Sequence, residues 1–384
     1  MKNYEIDIED PGDDVSDKFM VRKAAISSGS KITKNLTKVY PYQSIENDNS
    51  RYYINEVYLK KNSQDLLNLN HDNSLSDKFS STVKRKGKSD KFNIPFVDIS
   101  WDTPSFVEEK EQISGVLTDF IYANQGLDII NPPKITFPDS VDGQRSFDMY
   151  LDFLKTLGGV IRDTIGEHRM SFFIPEHFTR NQAERLLNFY VNEYGEDALI
   201  IADIDGKTFN SMSQKVFFIL RVIRRNHRSD GFSMYAYNLK ARKRSGIAVP
   251  SEDLVALYNG ISYAGPSHKG MNIPKDVVDS LEATFGKLFF KSDLLYYSYN
   301  PEALDGPNLE FTEWARSNNV EMTNLVPKIK RFNSEATENV ISSVSEDPKA
   351  VLDSLSRPIF MGELTQVSKA RSRVMRNSSL NDFS

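Results

Sequence analysis

Two regimes of hydrophobic patterning divide this chain. From residue 92 onward, short apolar runs biased toward β-branched and aromatic residues recur at 94–99, 128–135, 171–174, 198–204, 232–238, 261–263, 288–297 and 320–329. Between them, apolar residues spaced i, i+3, i+4 predict helices, most clearly at 147–165, 180–194, 213–225, 251–258 and 275–285. Strand and helix signals alternating at this rhythm predict parallel strands joined by helical crossovers. Eight such units over 93–331 point to an α/β domain built as a (β/α)₈ TIM-type barrel, because the count matches a closed barrel and no Gly-rich dinucleotide turn follows the first run. An open doubly wound sheet has the same alternation and is the alternative.

Residues 1–92 pattern differently. Acidic residues crowd the first eighteen positions, and Ser, Asn, Asp and Lys fill 62–92, a composition that predicts a polar, mostly flexible and largely disordered N-terminal extension. One strand-like island interrupts it at 51–60 (RYYINEVYLK), where apolar and polar residues alternate, and it is expected to dock on the main domain. The remaining 332–384 carry helical patches at 335–344 and 348–355 and then a polar, basic end, a short helical C-terminal tail.

Composition adjusts this picture only modestly. The 384 residues are 39% hydrophobic and 26% charged with a formal net charge of −5, so the molecule as a whole has no attraction for nucleic acid or an anionic membrane. Any phosphate binding must be local. Between 215 and 244 nine Lys or Arg stand against one acidic residue, Asp230. Arg221, Arg224, Arg225, Arg228, Arg242, Lys243 and Arg244 are therefore the candidates to contact RNA or DNA. A solvated helix end, where the dipole favours cations, is the competing account of Arg224, Arg225 and Arg228. Cysteine is absent, which removes disulfides, thiolate nucleophiles and Cys-type zinc sites and fits a reducing interior. The acidic N-terminus has no leader character, and the most apolar run, 216–220, is too short to cross a bilayer. The expectation is a cytoplasmic protein without a membrane partner, its oligomeric state open. The five histidines are scattered, without HxH or HExxH spacing, so neither a metal nor another cofactor is predicted.

In a barrel the chemistry belongs at the carboxyl ends of the strands. Asp203 and Asp205, two apart, would share a face and offer acid–base work or a cation site, unless Asp205-Gly206 is a turn and Asp203 pairs with a lysine. Asp98 ends the first run, beside Trp101 as a stacking surface. Glu176 and His177 offer proton transfer, although Thr179 reads as a helix cap and the stretch as an ordinary loop. Asn238 and Lys240 would share a face toward an anionic or amide-bearing ligand, leaving Tyr235 and Tyr237 on the packing face. Ser267, His268 and Lys269, between Gly265 and Gly270, would present donors to a phosphate or carboxylate, or form a plain turn.

The segment 235–270 (YAYNLKARKRSGIAVPSEDLVALYNGISYAGPSHKG) resembles part of the tRNA-guanine transglycosylase family, barrel enzymes that exchange guanine for a deazaguanine base. Pro250-Ser251-Glu252-Asp253-Leu254, Asn259-Gly260-Ile261 and Pro266 carry the likeness. Where that family places its nucleophilic aspartate this chain has Gly265, and its cysteine-rich zinc site has no counterpart here. The resemblance implies a barrel enzyme acting on a nucleobase or nucleic acid by transglycosylase-like base exchange, with Asp203 or Asp98 as the carboxylate. A non-catalytic binding or structural protein on the same scaffold, and a metabolic barrel enzyme for a phosphorylated small molecule, are the alternatives.

Overall fold

The structure, a computed structural model, describes residues 4–10, 14–16, 19–20, 22–33, 37–39, 54–103, 105–124, 126–227, 231–240, 248–268, 286–323, 325–346 and 358–376. Its frame is a set of parallel strands: β1 (Thr37–Lys38), β2 (Ile54–Asn62), β3 (Phe92–Ser100), β4 (Lys134–Thr136), β5 (Phe172–Ile174), β6 (Leu199–Asp203), β7 (Ser233–Leu239) and β8 (Tyr263–Pro266). They form two sheets, β2-β3-β4 and β5-β6-β7-β8-β1, with an isolated parallel bridge of Ile130 to Met170 between them. Helices connect successive strands, among them Phe106–Leu117, Gly143–Ile165, Arg180–Tyr194 and Phe209–His227.

Parallel strands covered on both faces must bury both sets of alternating side chains. Two apolar clusters result. One holds every second strand residue: Ile54 of β2, Phe92, Ile94 and Phe96 of β3, Phe173 of β5, Leu199 and Ile201 of β6, Tyr235 and Tyr237 of β7, and Tyr263 of β8, with Val39 and Ile129. The intervening residues, such as Val57, Val97, Ile99, Ile200, Ala202 and Ala236, lie instead with the helices. The helix starts follow from their caps. Asp142 accepts from the Gln144 and Arg145 amides, and Thr179 with Gln182 makes a capping box.

Several elements differ from the patterning expectation. The described part of the island at 51–60, from Ile54 on, lies in β2, which pairs with β3 along its whole length, from Ile54–Phe92 to Asn62–Ser100. The polar stretch after it is helical, at Ser63–Asn68 and Asn73–Lys86. Asn62 and Asp72 cap these helices, whose apolar residues Leu66, Leu67, Phe79 and Val83 are buried while Leu75 is exposed. The run at 288–297 is not a parallel strand but an antiparallel hairpin, Lys287–Phe290 with Leu295–Ser298, extended by Ala248–Pro250. The Asp293 carboxylate accepts the Leu295 amide and Leu294 sits at φ 63°, so the chain turns back inside the run. At 320–329 there is no strand; the helix Leu325–Glu346 begins there and includes the patch expected at 335–344. The patches expected at 275–285 and 348–355 lie outside the described residues.

The N-terminal hairpin, Glu5–Asp10 with Lys23–Ser28, packs at the amino-terminal ends of the parallel strands. Tyr4 is fully buried there: its hydroxyl donates to the Met170 carbonyl (3.3 Å) and accepts from the Leu199 amide (3.0 Å). Arg22, also fully buried, donates to the Phe232 carbonyl at 2.8 Å with its guanidinium 3.9 Å from that ring. At the far end of the chain, the helix Pro358–Arg376 lies on Phe209–His227, where Arg221 donates to the Val374 carbonyl (2.9 Å).

Candidate active site

At the carboxyl ends of the strands the inward row changes from apolar to ionisable. On β3 the sequence Phe92, Ile94, Phe96 is continued by Asp98; on β6 Leu199 and Ile201 are continued by Asp203; on β2 Ile54 is continued by Glu56 and Tyr58. Strand pleating with a period of two sets this order, so the apolar core and the polar mouth belong to the same rows.

Asp98 is half-buried and clamped by two phenols. The Tyr58 hydroxyl donates to Oδ2 at 3.1 Å and the Tyr237 hydroxyl to Oδ1 at 3.2 Å. Burial raises the Asp98 pKa above the usual carboxylate value; Lys134 and the two phenols oppose the rise, and the nearby Asp203 charge adds to it. Burial, with the Asp98 charge beside them, also pushes both phenols upward, so they stay protonated and act as donors.

Next to it lies an ion-pair triad. Lys134 Nζ is 2.7 Å from Asp203 Oδ2 and 2.9 Å from Asp205 Oδ1. Asp203 is fully buried, and its Oδ1 accepts the Asp205 amide at 2.9 Å. Asp205 stands at φ 54°, so Asp205-Gly206 is a turn and the two aspartates converge because the chain folds back, not because they alternate along a strand. Burial works to lower the Lys134 pKa, but the two carboxylates outweigh it and hold it above the usual lysine value.

The third group centres on Glu56, whose carboxylate is fully buried. Its Oε1 accepts from the Tyr235 hydroxyl and its Oε2 meets His268 Nε2. His268 lies face to face on Tyr58, with centroids 4.1 Å apart and planes at 10°, and 5.6 Å from the Tyr237 ring, which itself stacks on Phe96 at 4.2 Å. Asn238, at φ 59°, fixes the loop behind the imidazole: its Oδ1 accepts the His268 amide (2.8 Å) and the Ser267 hydroxyl (3.2 Å). Gly265 allows this arrangement, since a Cβ there would stand 2.5 Å from Glu56 Oε1 and 2.8 Å from the Tyr235 ring.

Asp98, Asp203, Asp205, Asn238, Ser267 and His268 are thus brought to one end of the strands. Asn238 and Ser267 are spent on each other and on the loop. Glu176 lies to one side, paired with Lys207 at 2.6 Å, and His177 is exposed against the edge of Phe178. Trp101 is buried among Phe106, Phe137 and Phe153 on the helix side, away from the mouth. Tyr235 and Tyr237, expected only to pack, do pack, but inward, with their hydroxyls on Glu56 and Asp98. Lys240 is half-buried next to Lys207, whose carbonyl accepts its amide at 2.9 Å.

The described residues of the basic stretch do not form one surface. Lys215 is turned in, donating to the carbonyls of Pro175, Glu176 and Phe178, and burial lowers its pKa to about 8. Arg221 is committed to the C-terminal helix, and Arg225 is exposed about 15 Å further along the helix axis than Lys215. Arg228, Arg242, Lys243, Arg244 and Lys269 lie outside the described residues.

Sequence reasoning missed Glu56, Tyr58 and Lys134, and it counted Lys215 only as part of the basic stretch. The signal for the first two was present: in the alternating 51–60 stretch, Ile54, Glu56 and Tyr58 occupy one face. Among the described residues no three His, Asp or Glu side chains are grouped to hold a metal ion, and no helix is long and apolar enough to cross a membrane. No protein-family model matches the chain, and no curated protein matches it.

Proposed function

We propose that the parallel strands form a (β/α)₈ barrel and that its carboxyl-end mouth is the active site of an enzyme acting on a planar nitrogen heterocycle of the nucleobase class. The barrel reading is supported by the inner cluster common to these strands and by the bonds that run from Glu56 on β2 across to Tyr235 on β7 and His268 beyond β8. The catalytic reading rests on one observation: Asp98, with a raised pKa, is the half-buried carboxylate held between two phenols beside a lysine. A carboxylate tuned upward in a water-poor site is suited to accept or deliver a proton, or to attack an electron-poor carbon.

The roles then separate. Asp98 is the reacting carboxylate. Lys134, fixed by Asp203 and Asp205, supplies a positive charge near any negative charge that develops. Tyr58 and His268, partly exposed and stacked on each other, offer a flat ligand an outer ring face to stack on. The likeness to transglycosylases agrees with this, with one change: the space that a side chain at 265 would take is filled by the Glu56 carboxylate from another strand. If the base is carried by RNA or DNA, the cations that follow β7 in sequence, Lys240, Arg242, Lys243 and Arg244, are the candidates to hold its phosphates.

The test is ligand-detected NMR and calorimetry with guanine, adenine, cytosine and uracil on the folded chain and on Asp98→Asn. Binding of one base, weakened at least about tenfold in Asp98→Asn, supports the reading. No base bound at millimolar concentration, or equal binding by the variant, removes it. Salt-dependent RNA binding that vanishes when Arg242, Lys243 and Arg244 become Ala separates a polymer substrate from a free base.

A further inference from the structure

We propose that His268 is the proton-transferring base of the mouth, oriented by the buried Glu56 and working through its Nδ1; this rests on the reading of the mouth as a ligand site. A carboxylate without solvent contact must be neutralised or saturated with donors. Glu56 has two donors: the Tyr235 hydroxyl on Oε1 and His268 Nε2 on Oε2. A lone pair on Nε2 would face the carboxylate lone pairs, so Nε2 carries the proton. The neutral imidazole is then the Nε2–H tautomer, with its lone pair on Nδ1. A base within hydrogen-bond reach of a group that fixes its tautomer is the recurring arrangement of proton-transfer catalysis.

Three further observations support this role for Nδ1. Among the described residues no hydrogen bond is made to it. The ring stacks on Tyr58 and lies 5.6 Å from the Tyr237 ring, the same two residues whose hydroxyls hold Asp98, so the imidazole and the reacting carboxylate share both neighbours. The loop is fixed at that residue, because Asn238 Oδ1 accepts the His268 amide at 2.8 Å. Among the described residues, the groups around the imidazole are Glu56, Tyr58, Tyr237 and, through the tyrosines, Asp98.

The step balances as a proton transfer. A ligand N–H or O–H bond breaks, its electron pair stays on the ligand, and the proton goes to Nδ1. The resulting imidazolium is an ion pair with Glu56, which keeps the Nε2 proton. The Nδ1 proton then passes to the departing group or to water, restoring the neutral ring.

The experiment uses the full chain labelled with nitrogen-15 histidine, long-range proton–nitrogen NMR at about pH 8, where free imidazole is neutral, and diethyl pyrocarbonate acylation mapped by mass spectrometry, with guanine as the probe. The expected result is an unprotonated Nδ1 and protonated Nε2 at His268, acylation of that residue, and its suppression by guanine. In Glu56→Gln the tautomer preference is lost and acylation falls severalfold. Tyr235→Phe, which leaves the carboxylate and removes only its second donor, serves if Glu56→Gln does not fold, and it should keep the Nε2–H tautomer. A protonated Nδ1 in the unaltered chain overturns the proposal and leaves the Asp98 reading to its own test. The expected tautomer without any protection by guanine removes the mouth as the site for this ligand, and the proposal with it.

Discussion

Tyr58 lies flat on His268, 4.1 Å between centroids, while its hydroxyl reaches Asp98 at 3.1 Å. One side chain thus contacts both Asp98 and His268. Tyr237 repeats the relationship from β7, less closely on the imidazole and at 3.2 Å from the other carboxylate oxygen.

The raised pKa of Asp98 gives folding a pH dependence of definite sign. The folded chain binds this proton more tightly than the unfolded chain, whose carboxylate has the usual value of 3.8. The contribution of Asp98 to stability is greatest below that value and falls as pH rises through the folded one. Urea unfolding between roughly pH 4 and 7 should therefore find unaltered protein gaining on Asp98→Asn as the solution is acidified. A constant difference across that range would mean that Asp98 titrates normally.

Removal of Lys134 leaves the Asp203 carboxylate buried without its cation. Lys134→Met should cost about 3–5 kcal/mol, the usual cost of breaking a buried pair from one side. Lys134→Met with Asp203→Leu should recover much of that loss. Denaturant midpoints of the single and double variants decide it, and a single-variant loss below about 1 kcal/mol would show that water reaches Asp203.

Tyr4 tests whether the N-terminal hairpin is part of the core. Tyr4→Ala removes a fully buried ring from the inner cluster and should cost about 3–5 kcal/mol. Tyr4→Phe keeps the ring and loses only the bonds to Met170 and Leu199, so about 1–3 kcal/mol is expected. Equal stability of all three chains in chemical denaturation would place the hairpin outside the cooperative unit.

At Gly265 even one methyl group should disturb the mouth. Gly265→Ala puts a carbon where Glu56 Oε1 and the Tyr235 ring already stand. A loss of about 1–3 kcal/mol is expected from overpacking, together with changed His268 ring resonances as Glu56 moves. Unchanged His268 signals in the folded variant would show that the carboxylate has room to step aside.

The fold was legible where burial is two-sided. The runs at 94–99, 171–174, 198–204 and 232–238 are continuous because inner and outer residues are both apolar, and each contains or overlaps a parallel strand. Thr37–Lys38 is too short and too polar to register as a strand, and it is held by pairing with Tyr263 and Ala264. β2 was seen as a strand but read as peripheral, because its alternation is that of a half-exposed strand. Its polar inward residues Glu56 and Tyr58 belong to the candidate site. Asp98 and Asp203 were recognisable as carboxylates at strand ends. Lys134 was not, since nothing in the Pro132-Pro133-Lys134 stretch says that it turns toward residues about seventy positions later.

The pairing of Thr37 with Tyr263 also bears on how the protein is made. On the ribosome, β1 emerges long before its neighbour β8 exists and must wait until synthesis has passed Pro266. Until then the nascent chain presents unpaired edges at β1 and β7, the type of surface that chaperones cover and that truncated translation products leave open to aggregation.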